Sequence, residues 1–102
     1  MTGSVVDASE AAGERLWRLP LPDDYRKMID SPIADMKNIG GPYGGAITAG
    51  LLLQEFVAED IPWVHLDIAG PAFTEKPDVE TRKGGTGFGV RTLVALARSF
   101  TK

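Results

Sequence analysis

The chain has 102 residues, a formal net charge of −3 and a sequence pI near 5.0, with 43% apolar and 25% charged residues. That suits one small domain, or a piece of a larger one, with a modest core, and it argues against disorder over most of the length. The 11 basic residues are scattered, which leaves no footprint for a nucleic-acid partner, and the absence of cysteine excludes disulfides, Cys-ligated zinc, iron–sulfur clusters and thiol nucleophiles.

Met1-Thr2-Gly3-Ser4 reads as a tag or a new start and is set apart from residues 5–102. The stretch from Met1 to Ala12 is polar and acidic, without the apolar core of a signal peptide, and the longest apolar run, Ile47 to Leu53, is too short to span a bilayer. A cytoplasmic protein with no membrane partner is expected. A helix is predicted from Val5 to Arg18, with Val5, Ala8, Ala12 and Leu16 on one face, stopped by Pro20-Leu21-Pro22. Asp23 suits an N-cap for a second helix whose apolar stripe is Tyr25, Met28 and Ile29, ended by Ser31-Pro32. Ile33 to Ile39 is expected to be extended, and Gly40 to Gly45 to be a turn-rich loop.

A largely buried helix is predicted over 46–58, with Ala49, Leu52, Leu53 and Phe56 at helical spacing. Trp63 to Ile68 alternates as a strand, Val64, Leu66 and Ile68 to one side and Trp63, His65 and Asp67 to the other. Ala69-Gly70-Pro71 ends it, a polar loop runs from Thr74 to Thr86, and a last helix is predicted from Phe88 to Phe100 with Val90, Leu93, Val94 and Ala97 inward. The fold class is therefore α/β: part of a mixed central sheet flanked by helices, incomplete as a stand-alone layer.

Candidate chemistry is sparse. One His, eight Asp and six Glu are available, and a two-metal hydrolytic site needs several carboxylates converging. Asp23-Asp24 is explained by capping, and Glu55 with Glu59 by a solvated helix face. His65 and Asp67 share a strand face; side by side, they are poorly placed for a triad, and structural satisfaction as a buried pair is the better reading. No serine lies in a nucleophile elbow. Lys83 to Gly89 is glycine-rich before a helix, which could hold an anion or could simply permit tight turning; the order is wrong for a P-loop. Ala69-Gly70-Pro71-Ala72, at the C-terminal end of the strand, could edge a ligand pocket or merely end the strand. From the residues themselves no catalytic residue and no metal ligand is assigned.

Five segments in order resemble one family. Gly13 to Leu21 (GERLWRLPL), Ala34 to Gly41 (ADMKNIGG), Gly45 to Ala49 running on to Leu53-Gln54-Glu55-Phe56-Val57, Trp63 to Gly70 (WVHLDIAG), and Lys83 to Gly87 followed by Arg91 to Val94 are together similar to the cytosolic leucine aminopeptidases. The likeness covers about residues 5 to 100 and marks 5–102 as a C-terminal segment of the catalytic domain.

The resemblance implies a metalloaminopeptidase that removes leucine-like N-terminal residues from peptides with two divalent ions, zinc or manganese. It implies that the metal ligands, a lysine and several carboxylates, lie upstream of this segment, so that the chain alone is inactive and binds no metal. It further implies that Ala69 and Ala72, with Gly70 shaping the turn, line the pocket for the substrate's first side chain. The partners implied are the remainder of the catalytic domain and a homo-hexamer. The alternative reading is a non-catalytic scaffold or oligomerisation module derived from that enzyme.

Overall fold

The computed structural model of the chain describes residues 1–101. Its elements in order are helix α1 (Thr2–Ala12), a 3-10 helix (Asp23–Ile29), helix α2 (Gly45–Gln54), strands β1 (Phe73–Thr74) and β2 (Gly84–Gly85), and helix α3 (Val90–Ser99). The chain is thus α/β, and it divides into two compact units, one of residues 1–17 with 66–102 and one of residues 18–65.

In the first unit α1 packs against α3. Val5 and Ala8 are buried on α1, in the stripe the sequence predicts, with Ser9 buried beside them, and Thr92 is buried on α3. The buried Ser9 is satisfied by donating to the Val6 carbonyl at 2.7 Å. The helix starts at Thr2, so residues 2–4 share its backbone, and it stops at Ala12 rather than Arg18. Gly13 adopts φ 74°, ψ 21°; its N–H bonds the Glu10 carbonyl and the Glu14 N–H bonds the Ser9 carbonyl. That pair of bonds is a Schellman stop, and the left-handed position at its centre favours glycine. A Cβ there would meet no atom within 4 Å, so Gly13→Ala should lose only the conformational cost, about 1 kcal/mol of stability, readable as a lower thermal midpoint.

The predicted inward face of α3 is not covered. Val90, Leu93 and Val94 are 59%, 55% and 45% exposed, because α1 meets the helix on the side of Thr92 instead. The polar stretch after Thr74 is not only loop: β1 and β2 pair antiparallel, Phe73 opposite Gly85 and Thr74 opposite Gly84. Asp78 organises the connection, its Oδ1 accepting from the amides of Glu80 and Thr81, both at 2.8 Å, and from the Thr81 hydroxyl. Those bonds hold the Asp78 carboxyl below the ordinary value for an aspartate.

In the second unit α2 packs against the 3-10 helix, around Ile29, Thr48 and Leu51. Asp23 is the first residue of the 3-10 helix, and its side chain makes no capping bond; Pro22 holds the cap position. The helix predicted over 46–58 ends at Gln54, which leaves Leu53 and Phe56 exposed. Glu55 accepts from Arg26 Nε at 2.6 Å, and Arg26 also reaches Asp30. Residues 33–39 form bends, not a strand, with the Lys37 N–H returning to the Ile29 carbonyl.

Trp63 to Ile68 departs most from expectation. It is in no ladder among the described residues. Trp63 and His65 do lie to one side, stacked with ring centroids 6.4 Å apart and planes 14° from parallel, as side chains two apart on an extended chain do. The sequence pattern sets the extended conformation; neighbouring strands to pair with are a separate requirement.

Candidate functional site

The site is built in the unit of residues 1–17 and 66–102, around the turn that follows Asp67 and the start of α3. Asp67 Oδ1 accepts from the Ala69 N–H at 3.1 Å, so this exposed aspartate braces its own turn and is not half of a buried pair. The Ala72 N–H then reaches back to the Ile68 carbonyl at 3.0 Å and closes the turn. Of the residues predicted to line a pocket, Ala69 and Gly70 are exposed and Ala72 is half-buried.

Thr86 clasps this turn from across the hairpin. Its N–H donates to the Ala72 carbonyl at 2.9 Å, and its hydroxyl donates to the Pro71 carbonyl at 2.5 Å. The same hydroxyl oxygen accepts from the Phe88 N–H at 3.2 Å. The β1–β2 pairing continues the clasp by two residue pairs, Phe73 with Gly85 and Thr74 with Gly84.

The buried carboxylate of Glu14 fixes the far end. One oxygen accepts from the Gly89 N–H at 3.0 Å; the other accepts from the Thr92 N–H at 2.9 Å and the Thr92 hydroxyl at 2.7 Å. Gly89 sits at φ 96°, a left-handed conformation that turns its N–H into line with the first turn of α3. A carboxylate at the positive end of a helix satisfies amides that have no partner within the helix. Burial works to raise the Glu14 pKa, but the Thr92 hydroxyl, the two amides and the nearby Arg91 charge together hold it below its ordinary value. The glycine-rich approach therefore carries its own internal anion: the amides an external phosphate would need at Gly89 and Thr92 are already engaged. No local sequence signal pairs a glutamate at 14 with a helix starting at 90, and the predicted helix over 5–18 would have placed Glu14 on a solvent face.

Beside this framework lies an open groove of about 870 Å³, with Glu14, Arg15, Pro71, Phe73, Thr86 and Arg91 in its wall. Among the described residues no three His, Asp or Glu side chains come together as a metal ligand set. The described residues therefore do not by themselves make up a two-metal centre. Among the described residues no helix is long and apolar enough to cross a membrane.

Comparison with known proteins decides the lineage. The catalytic-domain profile of the cytosol aminopeptidase family matches residues 1–94. The chain belongs to the cytosol aminopeptidase family. It is 56% identical over 98 residues to a probable cytosol aminopeptidase of Alkaliphilus metalliredigens, covering 96% of this chain and 19% of that protein. It is 53% identical over 90 residues to leucine aminopeptidase 1 of Arabidopsis thaliana, covering 88% of this chain and 16% of that one. Among solved structures it superposes on the bottromycin maturation enzyme in complex with Mn with a TM-score of 0.93 at 45% identity, over 99% of this chain and 22% of that one. It likewise matches the cytosol aminopeptidase of Coxiella burnetii, with a TM-score of 0.85 at 35% identity, over 98% of this chain and 22% of that one. This cytosol aminopeptidase segment thus spans about a fifth of its relatives, and the remainder of their catalytic domain lies outside the matched stretch.

Proposed function

We propose that the chain is the C-terminal segment, residues 5–102, of a metal-dependent leucyl aminopeptidase that removes N-terminal residues from peptides in the cytoplasm. In this reading it supplies a wall of the substrate pocket at Ala69, Gly70 and Ala72, together with core packing, while the remainder of the catalytic domain supplies the ligands for two divalent ions, manganese or zinc. Those ions, when bound there, would activate a water and polarise the scissile carbonyl. Hexameric assembly of the whole enzyme belongs to the same proposal.

The observation that carries it is the match of residues 1–94 to the family's catalytic domain in a chain that covers about a fifth of its relatives. The turn at 68–72 supports the pocket assignment because it is braced at Asp67, Pro71 and Ala72 yet leaves Ala69 and Gly70 open to solvent. Small side chains on a rigid turn leave room for a bulky substrate side chain.

Hydrolysis of a leucine chromogenic amide tests the reading. The purified chain with added manganese or zinc should give no turnover. Mixed with the remainder of the catalytic domain, it should give turnover that a chelator abolishes. Chelator-sensitive activity from the chain alone would overturn the division of labour, and failure to restore activity in a mixture that demonstrably assembles would favour the scaffold reading.

A further inference from the structure

We infer that Thr86 is a positioning residue for substrate selection: its hydroxyl holds the Ala69–Ala72 turn in place against the approach to α3, and with it the wall of the substrate pocket. The inference rests on the pocket reading above and adds to it the residue that fixes the wall in place.

Among the described residues, the Thr86 hydroxyl is tied to both the turn and the approach to α3. On one side it donates to Pro71, in the middle of the turn; on the other it accepts from Phe88, next to the buried Gly89 that Glu14 holds. Its oxygen is therefore fixed from two directions, and the Glu14 contacts make the α3 side a rigid reference. The turn's own bonds, Ala69 N–H to Asp67 and Ala72 N–H to Ile68, set its shape. They do not set where it stands relative to α3. That distance is set by the Thr86 amide, the Thr86 hydroxyl and the two-residue β1–β2 pairing. Two-residue strands give weak purchase, so the hydroxyl carries a large share of the positioning. Small displacements of a pocket wall change selectivity because discrimination between apolar side chains depends on filling the space left for them.

The test uses a whole aminopeptidase containing this segment, so that the metal ligands are present. Thr86→Val keeps the side-chain shape and the backbone N–H and removes only the hydroxyl. The readout is the ratio of kcat/KM for leucine amide to that for alanine amide, which does not depend on how much of the enzyme is folded. We expect Thr86→Val to reduce the ratio by about three- to tenfold, mostly through KM for leucine, and Thr86→Ser to restore it. An unchanged ratio in Thr86→Val, with a changed ratio in Ala72→Val, would overturn the role of Thr86 and leave the pocket reading standing. An unchanged ratio in both would overturn the pocket reading and this inference with it. If Thr86→Val gives no measurable turnover, hydrogen exchange at the Thr86 amide, which donates across the clasp to the Ala72 carbonyl, decides: acceleration of about tenfold supports the clasp, and an unchanged rate overturns it.

Discussion

Glu14→Gln should lower the stability of the chain by about 2–3 kcal/mol at neutral pH, as measured by urea or thermal unfolding. The carboxylate accepts three hydrogen bonds while almost fully buried, at 7% exposure. The amide that replaces it keeps one acceptor oxygen and turns an N–H₂ towards donors, so at least one of the Gly89 or Thr92 groups is left unpaired in a buried place. Few apolar side chains are buried among the described residues, Val5, Ala8, Ile29 and Leu51, so a loss of this size is a large part of what holds the chain together. The pH dependence gives a second signature. The folded-state pKa of Glu14 lies below its ordinary value of 4.5, so its contribution is complete above that value and is lost as pH falls through the folded-state value. The parent chain should therefore lose stability on acidification below about pH 4.5 more steeply than Glu14→Gln, which carries no titrating group at 14. Parallel pH profiles for the two proteins would show that the carboxylate is not what caps α3.

Leu93→Asp should behave in the opposite way, silent in the isolated chain and damaging in the assembled enzyme. Leu93 is 55% exposed on a face it shares with Val90 and Val94, so the substitution should change the stability of the chain alone by no more than about 0.5 kcal/mol. The chain matches about a fifth of its relatives, and we expect the rest of the catalytic domain to cover this apolar helix face. Burying a leucine is worth about 1.5–3 kcal/mol, so placing a carboxylate there should weaken assembly with the remainder of the domain at least about tenfold. Titration of labelled chain with that remainder, followed by fluorescence anisotropy, measures it; unchanged affinity would mean that another surface makes the join.

These two residues also mark what the sequence discloses and what it does not. Periodicity correctly places the buried stripe of α1 at Val5 and Ala8, and it locates all three α-helices. It fails at their ends because the stops are set by single backbone positions. Gly13 after an alanine-rich turn was a readable stop, whereas the end of α2 at Gln54 had no glycine or proline to announce it. Apolar spacing also identifies the amphipathic face of α3 without saying whether that face is covered within the segment. Strand pairing divides the same way. Alternation from Trp63 to Ile68 is legible, but a partner strand is a property of other residues, while the pairing that does form uses Gly84 and Gly85, which strand propensity disfavours. The family emerges from five ordered motifs because each preserves a local geometry. The framework around the turn does not, since Glu14 with Thr92 and Thr86 with Pro71 are joined only by the completed fold.

The separation of Glu14 from Thr92, 78 positions along the chain, has a consequence for biosynthesis. At about 5–20 residues per second, roughly 4–15 s pass between synthesis of the glutamate and of the helix it caps. During that interval α1 has no α3 to lie against, and its Val5 and Ala8 face lacks that partner. The second unit, residues 18–65, is synthesised wholly within the gap, so its internal contacts are available before the first unit can close. Nascent chains should therefore gain protection in the middle before they gain it at either flank.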